Sequence, residues 1–176
     1  MKKAIGVFLG VMMLMSFLVG CVPKKDESKN IDIKEVRDAV AKSLGDEYTP
    51  NMELSSEELE NVTGIKASDV ESYIAETPMI STHVDTFIAI EAKEGKADDI
   101  EASLEKYRKY LVEESLQYPM NMAKVNAAKV VRYDDYVFFL MLGRFNEDMD
   151  ATEEEALAFA KDEIQKVEDI IATFFK

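Results

Sequence analysis

Residues 129–142, KVVRYDDYVFFLML, decide the fold. Residues 129–132 and 136–142 flank Tyr133, Asp134 and Asp135, and aspartate tolerates the backbone angles of a tight turn, so the stretch reads as a β-hairpin. Its second arm, YVFFLML, is apolar on both faces, whereas a strand with one wet face alternates. That arm belongs in the middle of a sheet or against a second covering layer.

Upstream, residues 84–92 alternate. Val84, Thr86, Ile88, Ile90 and Ala92 face one way and Asp85, Phe87, Ala89 and Glu91 the other, the period of a strand. Glu94-Gly-Lys turns the chain into a helix over 97–116 with an apolar stripe of Ile100, Leu104, Tyr107 and Leu111. Tyr118-Pro119 stops it, because a residue before proline is pushed out of the helical region. Downstream of the hairpin, Thr152 and Glu155 cap a last helix whose stripe is Leu157, Ala160, Ile164, Val167, Ile171 and Phe174.

Three short helices are expected before the first strand. Ile33, Val36, Val40 and Leu44 follow Asp32 and Glu35 and end at Gly45; Ser55 and Glu58 open a second helix closed by Gly64; Ser68 and Glu71 open a third carrying Val70, Tyr73 and Ile74. The expected class is α+β: a small, mostly antiparallel three-stranded sheet packed by two long helices, with three short N-terminal helices, in one domain spanning 31–176.

The chain's single cysteine is Cys21, in SFLVGCVPKK. Met1-Lys-Lys followed by the apolar run 4–17 has the layout of a secretory signal and is too short to span a bilayer. Leu18, Val19, Gly20 and Cys21 resemble the bacterial lipobox, which implies a signal peptide over 1–20 and a thiol that carries lipid. Two or three acyl chains, palmitate among them, hold a protein stably on a membrane where one is marginal. Residues 21–30 then form the lipidated cysteine and a polar tether, whose nine residues after Cys21 average about 17 Å end to end and reach at most roughly 32 Å. Cleavage would remove Lys2 and Lys3 and no acid, leaving 19 cations against 35 carboxylates, a net charge of −16. Such a chain repels nucleic acid and anionic headgroups, so the expected partners are the membrane through lipid on Cys21 and an envelope protein, with no nucleic acid.

Three constellations invite chemistry. Ser81, His83 and Asp85 carry triad side chains, but neighbours two apart on a strand project in parallel, and no Gly-x-Ser-x-Gly elbow accompanies them, so they read as a solvated strand start. Asn146, Asp148, Asp150, Thr152 and Glu154 have the odd-position oxygens of a calcium loop, but Ala151 replaces the glycine and Leu157 the bidentate glutamate; acids favoured at a helix N-terminus account for the same letters. Met79, Met120, Met122 and His83 are soft ligands of the kind copper takes, and methionine also fills gaps in cores and loops. No catalytic, metal or cofactor assignment follows.

Residues 64–73 (GIKASDVESY), 87–100 (FIAIEAKEGKADDI), Tyr118-Pro119 and 135–139 (DYVFF) resemble a family of small Gram-positive bacterial lipoproteins with a single domain of unknown function. Tyr133-Asp-Asp135 departs from the glycine-containing hairpin turn expected in that family. The resemblance implies fold and location and lends no activity. The functional expectation is a non-enzymatic binding or adaptor lipoprotein on the extracytoplasmic face of the cell membrane; the alternative is a small-ligand or cation-binding accessory lipoprotein.

Overall fold

The computed structural model describes residues 30–80 and 82–176. Five strands, β1 (Met52–Glu53), β2 (Val70–Thr77), β3 (Thr86–Ala92), β4 (Lys129–Tyr133) and β5 (Tyr136–Met141), form one sheet in the order β1-β2-β3-β5-β4. Every neighbouring pair is antiparallel. The described α-helices are α1 (Ile33–Leu44), α2 (Ser56–Thr63), α3 (Ala97–Glu113), α4 (Met122–Ala127) and α5 (Glu153–Ala172).

The all-apolar arm of the hairpin is β5, and it lies between β3 and β4 with every residue buried. Val137, Phe139 and Met141 enter a core with Leu59 of α2 and Ile100, Leu104 and Leu111 of α3. Tyr136, Phe138 and Leu140 enter a second core with Val36 and Val40 of α1 and Ile164, Val167 and Ile171 of α5. Helices therefore cover both faces of the sheet, and β5 needs no polar alternation because neither face meets water. Between β4 and β5, Tyr133 pairs with Tyr136 and leaves Asp134-Asp135 as a two-residue turn; Asp134 has φ of 51°, a left-handed conformation that aspartate adopts more readily than bulkier residues.

The sheet has five strands where three were expected, and the third N-terminal helix is strand β2. The helical spacing in β2 has a physical source. Val70 and Tyr73 are three apart, as on a helix, yet both pack on the α3 side of the sheet because the β2–β3 register shifts between Val70 and Ser72. A β-bulge inserts one residue and so turns strand parity into helical spacing. Past the bulge, Tyr73 and Ala75 face the α3 side and Ile74 the α5 side, as a strand requires. Strand β1 contributes only Met52 and Glu53, too few residues to show a period. The expected packing by two long helices gives way to five described helices, with α2 and α3 lining one face of the sheet and α1 and α5 the other. Helix α4, absent from the expected order, has six residues and no capping side chain.

The two ends of the sheet differ. At the hairpin end, the Ile31 N–H donates to Tyr136 Oη at 2.9 Å, and Phe175, beyond α5, stacks on Tyr133 with ring centroids 4.5 Å apart. The chain therefore enters the domain at this end. At the far end, Thr86 faces Met141, five residue steps from the Glu91–Tyr136 pair, or about 17 Å along the strands.

Candidate functional site

Three connections meet at the far end: residues 78–85 after β2, 114–121 after α3, and 142–152 after β5. They carry Met79, Ile80, Leu116, Tyr118, Met120 and Met149, each more than half exposed. Beside them, a groove of about 590 Å³ opens between α4 and the first turns of α5. Met120, Met122, Ala123, Ala156 and Leu157 form its apolar lining, and Asn126, Glu153 and Glu154 its polar positions.

Buried polar contacts hold α4 at this place. Lys124 points inward, and its Nζ lies 2.6 Å from Asp85 Oδ1 with both side chains almost wholly buried. The second carboxylate oxygen of Asp85 accepts from Thr49 Oγ1 at 2.7 Å. Phe145 covers the ammonium from the other side, its ring centroid 3.7 Å away, a cation–π contact shielded from water. Asn121, fully buried at the start of α4, donates from Nδ2 to the Thr82 carbonyl at 2.9 Å. These bonds tie α4 to the start of β3 and to the loop before it. Met120 and Met122, on either side of Asn121, are thereby presented to the groove.

The opposite wall is fixed at the base of α5. Thr152 and Glu155 form a reciprocal capping box: Thr152 Oγ1 accepts from the Glu155 backbone N–H at 3.3 Å, and the Glu155 carboxylate accepts from the Thr152 backbone N–H at 2.9 Å. Ten residues into the helix sequence, Glu163 is buried and accepts from Arg144 Nη2 at 2.9 Å, Arg144 Nε at 3.1 Å and the Arg144 backbone N–H at 3.2 Å. These Arg144 bonds, with help from Lys166, hold the Glu163 carboxyl down at about 2 against the opposing effect of burial. Gly143 makes the approach possible: its φ is 122°, and a Cβ there would sit 2.7 Å from Glu163 Cβ.

The residues singled out in the sequence fare differently. Asp85 is fully buried, not solvated, and β3 begins at Thr86, because the carboxylate is neutralised by Lys124 from an element the sequence pattern did not show. It bonds Lys124 and Thr49, while the half-buried His83 sets its ring edge-on to Phe145 at 6.1 Å. Ser81 lies outside the described residues, as do Leu18, Val19, Gly20 and Cys21. Asn146 and Asp148 each accept from the backbone N–H two residues on, at 3.0 Å, and Thr152 caps α5, so these side chains close successive turns instead of converging. Met79, His83, Met120 and Met122 gather at the far end; among the described residues, no three side chains of His, Cys, Asp or Glu form a metal-binding group. Lys124, Asn121 and Thr49 carried no signal in sequence. A lysine between Ala123 and Val125 is ordinary surface composition until its burial is known.

Fold and groove together define an α+β domain whose antiparallel sheet is covered on both faces and which is grooved at the end away from Ile31. The chain belongs to the family defined by a domain of unknown function, DUF4358, which it matches over residues 43–142. That span holds every described strand and α2 to α4, whereas α5, the second wall of the groove, lies beyond it. No curated protein and no solved structure matches the chain.

Proposed function

We propose that this chain is a lipid-anchored extracytoplasmic binding protein that engages a protein partner with the far end of its sheet. The observation that carries this reading is the placement of exposed apolar side chains. Met79, Ile80, Leu116, Tyr118, Met120 and Met149 lie in the three connections at the end opposite Ile31, where the chain enters the domain. Clustered exposed apolar surface marks interaction sites. A domain held by lipid on Cys21 leaves that end free to face other molecules. The charge of −16 expected after cleavage opposes docking on anionic headgroups, so the partner is a protein and not the lipid surface. None of the described helices is long and apolar enough to cross a membrane; this reading places the attachment at Cys21.

The test combines anchoring with site-specific crosslinking. Feeding cells an alkyne palmitate should label the wild type and not Cys21→Ala. A photoreactive amino acid at Met79 or Met120 should give one discrete adduct in native membranes, and the same group at Asp134, on the hairpin end, should not. Absence of label, or equal crosslinking from Asp134, would overturn the proposal.

A further inference from the structure

The groove between α4 and α5 joins an apolar floor to two exposed carboxylates at the start of α5. Met120, Met122 and Leu157 supply unbranched or flexible apolar surface, which adapts to varied side chains. Glu153 and Glu154 stand exposed in the first turn of α5, where Glu155 already serves the cap. Among the described residues, neither carboxylate makes a hydrogen bond or an ion pair. The lysine of α4 does not compensate them, because Lys124 is turned into the protein toward Asp85 and Phe145. The groove is therefore apolar beneath and negative at its rim, with no cation in its lining. An anionic or phosphorylated ligand meets repulsion here, and a purely apolar one would desolvate the carboxylates without return.

We propose that this groove receives a basic polypeptide segment of the partner, and the assignment rests on the binding role argued above. Lysine and arginine suit both halves of the groove: their aliphatic stems lie on the methionines and Leu157, and their charged heads reach Glu153 and Glu154. Asn126, on the exposed side of α4, offers an amide to the segment's backbone. A volume of about 590 Å³ is within the range of ligand sites and accommodates a few such side chains.

The test uses the full acylated chain in phosphatidylcholine nanodiscs and a short fluorescein-labelled peptide of alternating lysine and leucine, read by anisotropy. Glu153→Gln with Glu154→Gln should weaken binding by about five- to tenfold, the sum of two screened ion pairs. Glu57→Gln with Glu60→Gln, the same charge change on α2, should alter it by less than about twofold, because separation beyond a Debye length screens those charges. Met120→Ala should also weaken it. Equal loss from the α2 pair, equal binding of a glutamine–leucine peptide, or no binding of the lysine peptide would overturn the assignment. Displacement of the peptide by spermine with the same residue dependence would instead give the groove to a small polycation. In native membranes, a crosslinked adduct from Met79 that survives Glu153→Gln with Glu154→Gln would refute the basic segment while leaving the binding role in place. Loss of that adduct in the double variant alone supports both.

Discussion

Replacing Lys124 by methionine tests whether the buried pair holds the far end together. The substitution keeps a stem of similar length and removes the ammonium 2.6 Å from Asp85 Oδ1. The carboxylate is then left fully buried with one hydroxyl donor, Thr49 Oγ1 at 2.7 Å. Removing one partner of a buried ion pair costs about 3–5 kcal/mol, because the remaining charge stays desolvated; loss of the Phe145 contact falls within that figure. This is a large part of the 5–15 kcal/mol typical of a domain. Asp85→Asn keeps an acceptor for Thr49 and removes the charge, so the double variant Asp85→Asn/Lys124→Met should recover about 2 kcal/mol relative to Lys124→Met alone. Urea denaturation at neutral pH, followed by far-UV circular dichroism, measures all four members of the cycle at comparable m-values. A Lys124→Met loss below about 1 kcal/mol, or a coupling energy below about 0.5 kcal/mol, would refute the reasoning, since either result means the pair is solvated and α4 is held by other contacts.

Other expectations follow from single positions. Gly143→Ala should destabilise the fold by about 2 kcal/mol or more, because the φ of 122° and the 2.7 Å approach to Glu163 Cβ both exclude a side chain; a thermal midpoint equal to wild type would contradict this. Glu163→Gln should lower stability at pH 7 by about 2–3 kcal/mol. The carboxyl is held at about 2, below its ordinary 4.5, so this contribution is present above about 4.5 and lost as pH falls through about 2. Urea midpoints of the two proteins should therefore converge in acid, and a gap independent of pH would count against the Arg144 bonds as its source. Asp134→Val should cost about 1–2 kcal/mol by forcing a β-branched residue to φ near 51°, whereas Asp134→Gly should be close to neutral; equal loss from both would show that the aspartate side chain, not the backbone angle, matters.

The elements legible in the sequence are those whose pattern is generated locally. The capping boxes Ser55–Glu58 and Thr152–Glu155 form as spaced, since each is closed within one turn of helix. The alternation in β3 marks it as a strand, and the apolar arm of β5 reports burial on both faces, which the helices on either side of the sheet supply. Strand β2 was not legible, because its bulge gives Val70 and Tyr73 a helical interval; only pairing with β3 distinguishes the two readings. For the candidate site, sequence singled out Met79, His83, Asp85, Met120 and Met122, and the fold gathers all five at one end. It could not supply their roles, because the partners of Asp85 lie 36 and 39 residues away.

From the residues alone come the α+β class, the hairpin and the acidic charge, all consequences of short-range periodicity and composition. The five-strand order, the bulged β2, the burial of Lys124 against Asp85 and the groove between α4 and α5 were decided only in the folded chain. Their physical reason is shared: each depends on which distant backbone edge or charge is brought close, and a sequence records separation along the chain, not in space.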